Sequence, residues 1–296
     1  MFREKIPAPR LSAWLFAAMV PPLIQLSCGA SWALLLLAGI ACLLLGKLRK
    51  DAELPNWSKL PGALLIAVLL GELAALSADS WPVGDSFPAV PLILLALGAW
   101  SASKGPQAAA GVGAVLFLFI IIMYMLLFAA GIGQIRLEWI RPTKTLPDPM
   151  CLTVLLLPLA TVPAKGKIGG RLTLGLIVAV IAAALTQGIL SPAVVEQVDH
   201  PFYEMSRSLE LLGVARRFEA VTGAAFTAGW FSLVAYLLCV ARELIGRMGV
   251  WAVAAGAAVW SLCGLHISGW ILASLWAVFW VGLPRIAQGI EKIKKS

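Results

Sequence analysis

Ten apolar runs follow one another along this chain, and all but one of the connections between them are short. The runs cover residues 11–29, 31–46, 61–78, 88–101, 107–133, 149–163, 171–191, 219–240, 248–264 and 267–284. A helix that crosses a bilayer needs about 20 predominantly apolar residues. The core of a soluble domain has no place for ten such runs. Of the 296 residues 60% are apolar and only 13% are charged, where soluble domains average about 45–50% apolar. A water-soluble enzyme is therefore excluded. Ten spans consume nearly the whole sequence, which predicts one all-α transmembrane domain over 1–296 embedded in a lipid bilayer. Runs 31–46, 88–101 and 149–163 are short for a span. Run 107–133 is long and is expected to tilt or protrude.

Charge gives an independent reading of the same count. Lys and Arg collect in cytoplasmic loops. With the N-terminus inside and ten crossings, 17 of the 23 basic residues fall on the inner side, from Arg3 to Lys295. The outer side holds only Arg136, Arg141, Lys144, Arg207, Arg216 and Arg217. Loop 79–87 carries Asp79 and Asp85 and no base. One span more or fewer would spoil the alternation, so both termini are expected in the cytoplasm. The net charge of +8 expresses this bias and is no sign of nucleic-acid binding. Trp81 and Trp139 near the outer ends, and Trp14 and Trp57 near the inner ones, suit interfacial belts.

No chemistry-bearing cluster emerges from the sequence. Cys28, Cys42, Cys151, Cys239 and Cys263 are scattered through apolar runs, without a CxxC pair, and read as small packing residues. Cys28 closes Gln25-Leu26-Ser27-Cys28 after a basic start, a pattern that touches on lipoprotein signals. Gln25 stands where such a signal needs an aliphatic residue, so the run reads as a first span. His200 and His266 lie in different loops and make neither a metal site nor a nucleophile–base pair. No enzyme, metal or cofactor is expected.

Four features bear on binding. The first span carries Met19-Val20-Pro21-Pro22 near its middle, and the sixth carries Leu157-Pro158-Leu159-Ala160-Thr161-Val162-Pro163. Proline removes a backbone donor and crowds the preceding turn. In a ten-helix chain the first and sixth spans open the two five-helix halves. Interrupted spans at matching positions point to a transporter-type site at the breaks, although a plain proline kink is also common in membranes. The expected ligand-binding set here is Val20, Pro21, Pro22, Gln25, Leu157 and Pro158. Second, Glu72 in Leu69-Leu70-Gly71-Glu72-Leu73 is the acid lying well inside a span. It serves a ligand amine or a proton, or else it is protonated or bonded to a neighbouring helix. Gly71 beside it permits close approach. Third, Thr222, Gly223, Phe226 and Thr227 share one side of the eighth span. Gly223 and Thr227 on that face either line a site or pack helices. Fourth, Phe202, Met205, Leu209 and Leu212 recur at helical spacing within the long connection 192–218. They mark an amphipathic helix, a lid or an interfacial element.

The same connection carries a resemblance. Pro201-Phe202-Tyr203-Glu204-Met205-Ser206-Arg207-Ser208, followed by Arg217-Phe218-Glu219-Ala220, resembles the spore germination permease family. The family pattern places Arg-Ser six residues after a proline, then Arg-x-Glu at the start of the eighth span. Ala99-Trp100-Ser101-Ala102-Ser103-Lys104-Gly105 looks like the family's basic turn between the fourth and fifth spans. The resemblance implies the amino acid–polyamine–organocation superfamily fold, a bundle of five plus five inverted helices with breaks in helices 1 and 6. It implies a B-type germinant-receptor subunit in a bacterial cytoplasmic membrane or spore inner membrane. A small germinant, often an amino acid, would bind among helices 1, 3, 6 and 8. An A-type membrane subunit and a C-type lipoprotein subunit would be partners. The family's first break is glycine-rich where this chain has Met19-Val20-Pro21-Pro22. Two other roles use the same bundle: a secondary transporter for an amino acid or organic solute, and an assembly partner with a vestigial site.

Overall fold

A computed structural model describes residues 6–27, 29–48, 54–79, 89–142, 145–160, 164–165, 169–198, 200–211, 215–216 and 218–286. The acidic loop 80–87, Pro163, Leu212, Arg217 and the basic tail beyond 286 lie outside the described residues.

Among the described residues each apolar run contributes a helix. The main elements are α1 (Ala8–Ser27), α2 (Trp32–Leu48), α3 (Lys59–Asp79), α4 (Ala89–Lys104), α5 (Pro106–Gly131), α6 (Met150–Leu155) and α7 (Gly169–Leu190). Two short helices come next, α8 (Pro192–Val195) and α9 (Pro201–Ser208), then α10 (Glu219–Leu262) and α11 (Gly269–Ala277). Extended structure among the described residues is limited to two pairs of two-residue strands. In one, β1 (Ile6–Pro7) lies parallel to β2 (Ala164–Lys165), and in the other β3 (Glu210–Leu211) lies antiparallel to β4 (Ala215–Arg216).

Five stretches are long and apolar enough to cross a membrane: Asn56–Ser77, Pro106–Gln134, Thr173–Leu190, Glu219–Leu262 and Gly269–Ile286. The α5 stretch, with a mean hydropathy of 2.9, has most of its length turned away from the bundle. Val115, Leu118, Ile122 and Met125 are exposed along it. An apolar face of that extent is not stable against water, and this is the character of an integral membrane protein.

The 44 residues of α10 are two helices, not one. Gly246 joins them with φ 81° and ψ −179°, a conformation no helix contains. The two halves correspond to the separate runs 219–240 and 248–264. The first half packs on α1 and α4, with Val234 against Gly98 and Arg242 beside Gly105. The second half runs along α3, with Gly256 beside Ala67 and Trp260 beside Gly71. At the first junction Arg242 Nη1 donates to the Ala102 carbonyl at 2.8 Å. A guanidinium is thereby placed on the negative C-terminal end of α4.

Side-chain levels fix the relative directions of the helices. Gly175 of α7 lies by Phe16 and Val20, and Gln187 bonds to Ala30, so α7 runs parallel to α1. Gly39 of α2 meets Leu176, which makes α2 antiparallel to both. Met150 lies against Gly269, and the Leu156 carbonyl against Trp276, so α6 and α11 are parallel. Glu72 meets Ile267 while Gly62 meets Phe279, so α3 runs against α11.

α1 sits at the centre of this packing. Sixteen of its 20 residues are buried, between α5, α7, α6 and the first half of α10. Here the structure corrects an expectation. α1 does not break at Pro21 and Pro22; it stays helical from Ala8 to Ser27. Each proline deletes one donor, but the ring of Pro21 finds room because Gly229 faces it. A Cβ on Gly229 would lie 2.4 Å from Pro21 Cβ. Surrounding helices therefore hold α1 in line through two lost hydrogen bonds.

The sixth span does break. Asp148 starts it, its carboxylate Oδ1 accepting from the Met150 N–H at 2.7 Å. The α-helix stops after Leu155, tightens into a 3₁₀ turn over Leu157–Leu159, and leaves helical geometry at Ala160 with ψ 95°. Pro158 sits in that turn, where its missing donor costs nothing.

Candidate functional site

The structure divides the expected site residues into three places. In the first, the proline turn of α6 meets α1 and α10. Val20, Pro21, Pro22 and Leu157 are all buried, Val20 beside Gly175 of α7 and Pro21 against Gly229 of α10. Pro158 is half-buried. Breaking a helix frees carbonyls, and such carbonyls are what a ligand's ammonium would seek. Two of them are already taken. Trp276 Nε1 donates to the Leu156 carbonyl at 3.0 Å, and the Tyr236 hydroxyl donates to the Ala160 carbonyl. Trp14 packs edge-on against Tyr236, their centroids 5.2 Å apart, and its Nε1 donates to the Ser232 carbonyl at 3.2 Å. Sequence reasoning missed Tyr236, Trp276 and Gly229. Each acts across more than 70 residues of chain, and nothing in its local spacing marks it.

The second place holds Gly71 and Glu72. Trp260 lies flat on Gly71; a Cβ there would be 2.6 Å from Trp260 Cδ1. The same indole donates from Nε1 to Glu72 Oε1 at 3.0 Å. The Ile267 N–H donates to that oxygen at 2.7 Å, and His266 Nδ1 lies 3.5 Å from Oε2. All these partners belong to the second half of α10 and the turn into α11. Glu72 is buried, and none of its bonds reaches α1 or α6. Of the two readings of Glu72, the geometry matches a carboxylate bonded to a neighbouring helix. Gly71 supplies the close approach that delivers the indole.

The third place is a crevice at the end of the bundle that carries α9. It is small and half-open, with room for about one water molecule, and is lined by Gln25, His200, Phe202, Tyr203 and Phe226. Gln25 is held by Trp230, whose Nε1 donates to its Oε1 at 2.7 Å. α9 is docked by the apolar face that its periodicity predicts: Phe202, Met205 and Leu209 are buried. Phe202 packs between Tyr124, edge-on, and Phe226, tilted, with centroids 6.1 and 5.8 Å away. Its polar face carries the Arg207–Glu204 pair at 3.1 Å, an exposed contact worth little energetically. The Phe218 N–H donates to the Ser206 carbonyl at 3.0 Å and ties α9 to the start of α10. Burial first, then the nearby Glu219 carboxylate, holds the Tyr203 phenol above its ordinary pKa.

Gly223 and Thr227 lie on the α10 wall beside this crevice. Thr227 Oγ1 donates to the Gly223 carbonyl at 2.7 Å, so its proton is used within the helix. Gly223 itself faces open space. Thr222 one residue earlier is fully buried. Among the described residues no three His, Cys, Asp or Glu side chains gather in a way that could hold a metal ion.

Comparison with known protein families gives no matching family model, and comparison with curated proteins gives no match.

Proposed function

We propose that this chain is a B-type germinant-receptor subunit, a binding and signalling protein built on a transporter scaffold. In this reading it crosses the membrane ten times, both ends lie in the cytoplasm, and its halves are inverted five-helix repeats. It senses a small molecule such as an amino acid and works with an A-type membrane subunit and a C-type lipoprotein. One observation carries the reading. Of the residues that resemble the germination permeases, 201–208 form α9, which supplies Phe202 and Tyr203 to the wall of the crevice. Two residues of the resemblance, Phe202 and Tyr203, thus line the crevice, alongside Gln25, His200 and Phe226 from outside it. The helix directions lend further support, since they alternate wherever side-chain levels fix them.

The test is a germination dose response to amino acids, in spores with and without the chain and with Phe202→Ala in its place. Loss of the response without the chain, and a shifted response with the variant, support a receptor. An unchanged response in both removes this reading.

The broken α6 favours a second reading, a secondary transporter of an amino acid or organic solute. Uptake of labelled amino acids into proteoliposomes containing the purified chain alone would establish it.

A further inference from the structure

Several observations meet on one face of α10. Glu219, Thr222 and Phe226 succeed one another at helical spacing and share a side. Among the described residues the Thr222 hydroxyl is buried without a hydrogen-bond partner, and Glu219 Oε2 is out of water without one. Buried polar atoms nearly always have partners, so two orphans on one face mark a place where a partner belongs. Between them and Phe226, Gly223 opens onto free space; a Cβ there would meet nothing within 4 Å. Phe226 at the foot of this face lines the crevice together with Tyr203 and Phe202.

The groups present define the chemistry of the missing partner. A carboxylate only accepts hydrogen bonds, and a hydroxyl can accept too. Aromatic faces attract cations. On α9 the guanidinium of Arg207 pairs with Glu204 and is exposed. A compact cation with several N–H donors suits the carboxylate, the hydroxyl and the rings together, whereas an anion could take the Thr222 proton but would be repelled by Glu219.

We infer that this face binds the ammonium group of a small organic amine. Glu219 is its charge partner, Thr222 a second acceptor, and the rings of Tyr203 and Phe226 its wall. The inference deepens the proposed function and rests on it only where the amine is equated with the germinant.

The test uses the purified full-length chain in nanodiscs, titrated with n-butylammonium and, as matched controls, n-butyrate and n-butanol. Thermal unfolding and indole fluorescence are recorded, Trp230 lying at the crevice through its bond to Gln25. Butylammonium is expected to bind saturably and to raise Tm, while butyrate and butanol do neither. Glu219→Gln should weaken binding at least tenfold, as loss of a buried charge-assisted hydrogen bond does. Gly223→Val, which meets no atom at Cβ, should keep the parent Tm and lose binding. Equal effects from all three compounds overturn the inference, as does Glu219→Gln titrating like the parent. Absent binding, with germination still dependent on the chain, defeats the inference alone. Saturable binding, with germination independent of the chain, defeats the receptor reading alone.

Discussion

Glu72 shows how one residue can pass from ligand candidate to structural pin. Its carboxylate collects an indole N–H, a backbone N–H and a histidine ring from a single neighbouring segment. Glu72→Ala deprives the half-buried Trp260 and Ile267 donors of their acceptor, a loss of about 1–3 kcal/mol for each that water does not reach. The expected outcome is a clear fall in Tm of the purified protein, with an unshifted dose response for the molecules that reach the membrane. Glu72→Gln keeps one acceptor oxygen and should fall less. A dose response displaced by Glu72→Gln at parental Tm would put ligand back beside this residue. Gly229 gives a second residue-scale prediction. Its missing Cβ is the space that Pro21 fills, so Gly229→Ala overpacks the centre at a cost of about 1–3 kcal/mol. Thermal unfolding should show it, and a parental Tm would mean that α1 and α10 can separate freely.

Two junctions matter at the scale of the element. Gly246 joins the halves of α10 at φ 81°, and no atom would touch a Cβ there. Any penalty for Gly246→Ala is therefore conformational, about 1–3 kcal/mol for an L-residue in a region reserved for glycine. Tm should drop without loss of packing, and Gly246→Asn should drop about as far as Gly246→Ala, since ψ −179° lies outside the left-handed helical region that asparagine tolerates. The end of α6 is held differently, by side-chain donors. Tyr236→Phe removes the proton given to the Ala160 carbonyl while keeping the ring that packs on Trp14. The 3₁₀ turn should then open sooner, and backbone amide exchange over 156–160 should speed up while α1 stays protected. Equal exchange in variant and parent would show that the turn needs no donor.

At the scale of the whole molecule, the charge bias and the helix directions agree on an alternating bundle. Native cysteines provide the test. Cys42, Cys151 and Cys239 are buried, whereas Cys263 is exposed in the turn between α10 and α11. With the N-terminus inside, that turn faces out. In a Cys28→Ser background an impermeant thiol reagent should label intact cells at Cys263, and adding Cys263→Ser should abolish that signal. Labelling of Cys263 only after the cells are opened would invert the orientation.

Periodicity, charge and proline placement were enough to read the helices, the point where α10 divides, the interruption of α6 and the buried face of α9. These depend on local spacing: an apolar run of given length, a missing donor, a repeat of three to four residues. The effect of a proline on its helix is not local. Pro158 ends a helix and Pro21 does not. The sequence shows the lost hydrogen bond in both cases, but only packing shows that Gly229 makes room for one ring. Glu72 was legible as a buried acid, while its partners arrive from residues 260–267 through a different helix. The same holds for the crevice: Gln25 and the α10 face stand out in the sequence, yet only the docking of α9 brings His200 and Tyr203 beside them. Spacing along a chain determines which groups are apolar, charged or short of a partner. Which of them meet is decided by the close approach of helices distant in sequence, an energy that no single segment contains.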